Sequence, residues 1–98
     1  MDRLSLHDIL LDITDHVYFQ PPESKRLDFP CIVYKRNDVN VKYADNTTYM
    51  LRKQYIVTVI DLNPDSLIPD AVSKLPNCIF VRFFTKDNLN HDIYNLYY

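Results

Sequence analysis

Not one of the 98 residues is glycine. That absence removes every glycine-rich phosphate loop, including the P-loop and the dinucleotide fingerprints, and it removes the glycine-flanked elbow on which hydrolase nucleophiles sit. It also takes away the usual source of positive-φ corners, so turns must rely on Asn, Asp and Pro. The sequence places such residues between its apolar runs: Asn37-Asp38, Asp45-Asn46, Asn63-Pro64-Asp65 and Asp87-Asn88. A cationic excess is missing as well. The formal charge is −2, and the basic residues fall in isolated pairs, Lys25-Arg26, Lys35-Arg36 and Arg52-Lys53, which read as solvated surface rather than a nucleic-acid footprint.

Long apolar runs are lacking too. None approaches the roughly 20 residues of a membrane span, and Met1-Asp2-Arg3-Leu4-Ser5 lacks the apolar core of a signal peptide. The expectation is a protein made in the cytoplasm that stays soluble. There are only two cysteines, Cys31 and Cys78, each set among β-forming residues. They read as two buried thiols in a reducing compartment rather than as a disulfide.

What is present fits one small folded domain over residues 1–98, with 47% apolar and 24% charged residues. Leu6, Ile9, Leu10, Ile13 and Val17 recur at helical spacing, predicting a helix over 4–17 with Ser5 as cap and Asp8 in its first turn. His7 and His16 fall off that stripe and are expected at the surface. Pro21-Pro22 cannot continue a helix, so 21–30 reads as a polar connection. A short strand follows at 31–35, then a polar stretch at 37–46 as a hairpin tip. Residues 49–61 form the clearest strand, apolar on both faces near its end as a central strand would be. Asn63-Pro64-Asp65-Ser66 turns into a second helix bearing Leu67, Ile68, Ala71, Val72 and Leu75, with Pro69 in the opening turn and Pro76-Asn77 at its end. Strands at 78–84 and 91–98 complete the order α-β-β-α-β-β. The predicted fold is α+β: one mostly antiparallel four-stranded sheet with both helices on one face.

Candidate chemistry is sparse. Asp61, Asn63 and Asp65 copy the first alternating ligands of a calcium loop, but Ser66 replaces its glycine, Pro64 intrudes and Val72 stands where the closing Glu belongs; a turn and helix cap explain them better. His91 and Asp92 are adjacent on a strand and point to opposite faces, which argues against a shared proton. No Cys/His spacing suits zinc. Asp45, Asp61, Asp65, Asp87 and Asp92 are the raw material for an acidic nuclease cluster, yet each also serves a turn. No catalytic residue, metal or cofactor is expected. Eight tyrosines and five phenylalanines are the more informative excess. Tyr43, Tyr49, Tyr55, Tyr94, Tyr97 and Tyr98 lie on or beside strands. A domain of this size cannot bury all its aromatics, so some should be exposed as in protein interfaces. Stacking on single-stranded nucleic acid would also need a basic groove.

Several segments carry a resemblance when taken in order: Val17–Pro22, Phe29–Tyr34, Tyr43–Asn46, Tyr55–Ser66 and Asp87–Tyr94. Together they resemble the small tail-terminator, or tail-completion, proteins at the head–tail joint of long-tailed bacteriophages. The resemblance spans nearly the whole chain and rests on order and length, since none of the motifs is diagnostic alone. It implies a non-enzymatic ring, usually a hexamer, assembled in the host cytoplasm and located in the virion. The ring would cap the tail tube, end its growth and dock to the neck and connector proteins of the capsid, with DNA only as cargo passing through and no membrane partner. The family's sheets typically face the channel while the helices lie outside. By that implication the 37–48 segment and Tyr49, with Tyr43, Asp45 and Asn46, form an arm toward a neighbouring subunit or the tube. The 86–92 loop, with Asn88, Asn90 and His91, supplies a second contact. A neck or head-completion connector ring and a monomeric protein-binding adaptor are the alternatives.

Overall fold

A computed structural model describes residues 3–37 and 53–98. Two helices and a five-stranded mixed sheet make an α+β domain. In chain order the elements are α1 (Arg3–Leu11), β1 (Val17–Phe19), β2 (Cys31–Arg36), β3 (Gln54–Asp61), α2 (Ile68–Ser73), β4 (Cys78–Lys86) and β5 (Leu89–Tyr97). The sheet runs β1-β2-β3-β5-β4, antiparallel throughout except for the parallel β1–β2 pair.

The fifth strand corrects the four-stranded expectation, and its origin is the end of α1. Ile13 N–H and Thr14 N–H both reach the Leu10 carbonyl, at 3.0 and 3.2 Å, so the helix tightens and stops short of 17. Val17, Tyr18 and Phe19 then pair with Ile32, Val33 and Tyr34. The register is clamped at both ends, where Ile32 N–H donates to His16 O and Gln20 N–H to Tyr34 O, each at 2.9 Å. Val17 thus packs on the core from a strand, not from the helical stripe. At the other end α1 begins at Arg3, which places Ser5 inside the helix instead of at its cap.

The register divides the sheet into two faces. On one, the cross-strand rows are Ile32–Val59–Asp92–Phe83, Tyr34–Val57–Tyr94–Phe80 and Arg36–Tyr55–Leu96–Cys78. Leu6 and Leu10 of α1, four apart and therefore on one helix side, join Val72 of α2 on this face to close the core. Both helices thus lie on the same side. The opposite face carries rows such as Val33–Thr58–Ile93–Arg82 and Cys31–Ile60–His91–Phe84. β3 sits between β2 and β5 and buries Val59 and Ile60 on opposite faces, as a central strand should.

The corners are made without glycine. Asp87 and Asn88, at φ 53° and 62°, form a two-residue connection between β4 and β5. Paired positive φ values are those of the tight turns whose twist matches a hairpin. The hairpin is therefore longer and its loop shorter than the 85–90 expectation. Asn77 (φ 60°) closes the exit from α2, and Gln20 (φ 45°) occupies the same region without the local side-chain help that Asn and Asp have. Before α2, Asp61 Oδ1 accepts the Asn63 N–H and Asn63 Oδ1 accepts the Asp65 N–H, both at 3.0 Å, while Ser66 Oγ accepts the Ile68 N–H at 3.2 Å. Two of the oxygens that echoed a calcium loop are thus satisfied by backbone donors.

Candidate interaction surface

Among the described residues β4 forms an edge of the sheet, with β5 as its neighbour. Its sequence, Cys-Ile-Phe-Val-Arg-Phe-Phe-Thr-Lys, is that of a buried strand. The structure leaves Ile79 58%, Phe80 53%, Val81 46% and Phe83 51% exposed along the strand. The cause is twofold. α2 has only six residues and cannot roof a nine-residue strand. The ladder also slips between Phe80, opposite Tyr94, and Arg82, opposite Ile93, so Val81 has no partner. This bulge resets the alternation and brings Phe80 and Phe83 to the same, helix-bearing face. Phe80 packs edge-on against Tyr94 with ring centroids 5.5 Å apart. On the other face Phe84 stacks on His91 at 4.5 Å, and the Arg82 guanidinium lies 5.5 Å from the Phe84 ring.

An apolar cleft of about 240 Å³ opens on the helix side at the Cys78 end of β4. Leu6 and Leu96, both core residues, form its floor, and Ile9, Leu75, Pro76 and Tyr98 form its walls. Tyr97 N–H donates to Asn77 O and Tyr98 N–H to Lys53 O, which holds both tyrosines beside the cleft.

The residues expected to make contacts fall in three places. Tyr43, Asp45, Asn46 and Tyr49 lie outside the described residues. Asn88 is exposed at the tip of the β4–β5 turn. Asn90 and His91 belong to β5 instead of a loop. The Asn90 amide donates to the carbonyls of Asp61 and Leu62, at 3.1 and 3.4 Å, pinning the end of β3. His91 Nδ1 lies 3.1 Å from Leu89 O. Tyr55 and Tyr94 are core residues, and among the described residues the exposed aromatics are Phe29 and the β4 residues Phe80 and Phe83, not tyrosines. Nothing local in Ile79–Phe84 announces this exposure, since the absence of period-2 polarity suits a strand covered on both faces.

The titratable groups have structural employment. His7 Nδ1 lies 2.7 Å from the Tyr34 hydroxyl, to which Arg3 also donates at 3.3 Å, and Arg3 covers the Phe19 ring at 4.1 Å. His16 Nδ1 is 3.3 Å from Pro30 O. Both histidines are half-buried, against the surface placement expected for them. Burial raises the Cys31 thiol to about 11, helped by the Asp28 and Asp61 charges. It raises Tyr94 to about 12, assisted mainly by Asp92. The Asp92 carboxyl is pushed up by burial and by Asp70, with partial relief from His91. Asp92 and His91 occupy opposite faces of β5, in accord with their adjacency. Cys31 and Cys78 are free thiols. Their strands stand three positions apart in the sheet, about 14 Å, beyond the roughly 7 Å limit for a bridge. Among the described residues no three His, Cys, Asp or Glu side chains converge as a metal site, and no helix is long and apolar enough to cross a membrane.

Among the described residues, exposed apolar side chains of β4 and an apolar cleft lie on the same domain. The chain matches no protein-family model and has no significant similarity to a curated protein.

Proposed function

We propose that this chain is a structural subunit of a ring at the head–tail joint of a long-tailed bacteriophage. The ring caps the tail tube, ends its elongation and presents a docking surface to the capsid neck. The observation that carries the proposal is the exposure of Ile79, Phe80, Val81 and Phe83 along β4. Apolar side chains clustered in water are a liability in a soluble monomer, whereas an obligate assembly covers them. The ordered resemblance of five segments to tail-terminator proteins supplies the kind of assembly. Its partners are copies of itself, most simply six, together with tail-tube subunits and neck connectors. DNA passes as cargo, and no cofactor or catalytic step is required.

Negative-stain microscopy of the pure protein, alone and mixed with tail-tube subunits of the same virion, tests the proposal. Rings, or caps on tubes of uniform length, are expected. Caps on the capsid connector instead of the tube would move the ring to the head side of the neck. Particles that stay monomeric and ignore tubes would sink the ring and leave the adaptor.

A further inference from the structure

The β4 edge and the apolar cleft answer one another. We propose that the cleft between α1 and the end of α2 accepts the Phe83 ring of a neighbouring copy, joining subunits head to tail. This rests on the ring function proposed above and names the contact that would build it.

Chemistry and size both fit. Leu6, Ile9, Leu75, Pro76 and Leu96 line the cleft with hydrocarbon, and Tyr98 adds an aromatic wall. An apolar cavity of about 150 Å³ is enough for a benzene ring, so about 240 Å³ takes one phenylalanine side chain. Phe83 is half-exposed on the same helix-bearing face but cannot fill its own cleft. The cleft lies at the Cys78 end of β4, beside Leu96, while Phe83 stands five residues further along the strand, roughly 15 Å away. A second copy can bring the two together.

Simple strand addition at β4 is a poorer use of this edge. The bulge at Val81 interrupts the outward row of backbone donors and acceptors, and Arg82 and Lys86 charge the strand, both devices that discourage edge-to-edge pairing. What is left to satisfy is side-chain surface. A patch on one part of the molecule and a complementary pocket on another make a heterologous contact, which closes into a ring when the rotation between subunits permits.

Two exposed-site variants, each checked for wild-type circular dichroism, test the contact by sedimentation velocity. Phe83→Asp removes the knob, and Ile9→Trp fills the cleft from its rim. Wild type is expected to run well above twice 11.7 kDa. Each variant alone is expected to stay monomeric, with association weakened at least ~30-fold, as for a buried aromatic anchor. An equimolar mixture should give a one-to-one dimer, because the intact cleft of one variant still receives the intact Phe83 of the other. Phe83→Leu should recover part of the assembly. A mixture that remains monomeric while wild type assembles would overturn the contact, as would a wild type that stops at a dimer or stays monomeric up to roughly 1 mM, the weak end of measurable affinity. Variants that still form tube-capping rings would discard the Phe83 contact and leave the ring function standing.

Discussion

Tyr34 is where the docking of α1 on the sheet can be measured. Its ring is fully buried between Phe19, at a centroid distance of 4.9 Å, and Tyr55, at 5.9 Å, and its hydroxyl meets His7 and Arg3 of α1. Tyr34→Phe keeps the ring and deletes the hydroxyl. Both former partners are half-exposed and can turn to water, so the loss is that of an ordinary hydrogen bond, about 1 kcal/mol, without the larger penalty of a stranded buried donor. With a denaturant slope of about 2 kcal/mol per M in urea, the midpoint should fall by about 0.5 M. Tyr34→Ala also empties the ring site and should cost ~3–5 kcal/mol, a large share of the ~5–15 kcal/mol total of such a domain. The assay is urea unfolding followed by far-ultraviolet circular dichroism on wild type, Tyr34→Phe, His7→Ala and the double variant. The cycle should return a coupling near 1 kcal/mol between His7 and Tyr34. A coupling of zero would mean that the His7–Tyr34 bond does not hold α1 to the sheet. A Tyr34→Phe loss above ~3 kcal/mol would mean that the hydroxyl's partners are sealed from water.

Alkali should destabilise the fold in two stages. The thiol of Cys31 rises from 9.0 to about 11 and the hydroxyl of Tyr94 from 10.0 to about 12, so their contributions are whole below pH 9 and 10 respectively. They are lost as pH climbs through the folded values. Cys31→Ala should therefore flatten the decline in melting temperature between pH 9 and 11, and an unchanged slope there would contradict the burial of that thiol. Asp92 is also raised, which for a carboxyl means that the fold favours its neutral form and loses stability as pH rises through the folded value. Asp92→Asn should raise the urea midpoint at pH 7, with the gain fading as pH falls through the ordinary carboxylate range; a lower midpoint at pH 7 would show that the carboxylate has a favourable partner.

Much of the local structure is legible in the chain. Alternation from Tyr55 to Ile60 reads as a central strand and is one, because a strand flanked on both sides and covered by helix must be apolar on both faces near its middle. The Asn63–Ser66 turn, the early Pro69 of α2 and the Asp87-Asn88 corner follow from side chains that bond their own backbone or tolerate left-handed φ. The candidate contacts were less legible. Asn90 and His91 are polar residues in a polar stretch, and nothing local distinguishes a loop contact from an amide that pins β3 or a ring stacked on Phe84.

Val17 shows the limit most clearly. By spacing it completes the α1 stripe, and only the ladder offered by Ile32, Val33 and Tyr34, from a strand that begins 14 residues later, draws it into β1. Composition, the absence of glycine and the two periodicities were enough to determine the α+β class, the turn chemistry and most of the strands. The strand order was decided by tertiary structure alone. Ile79–Phe84 looks the same to its neighbours in sequence whether it lies inside a sheet or at its margin, because exposure depends on which distant backbone takes up the free row of hydrogen-bonding groups. Placing β5 rather than β4 against β3 is what leaves Phe80 and Phe83 facing water.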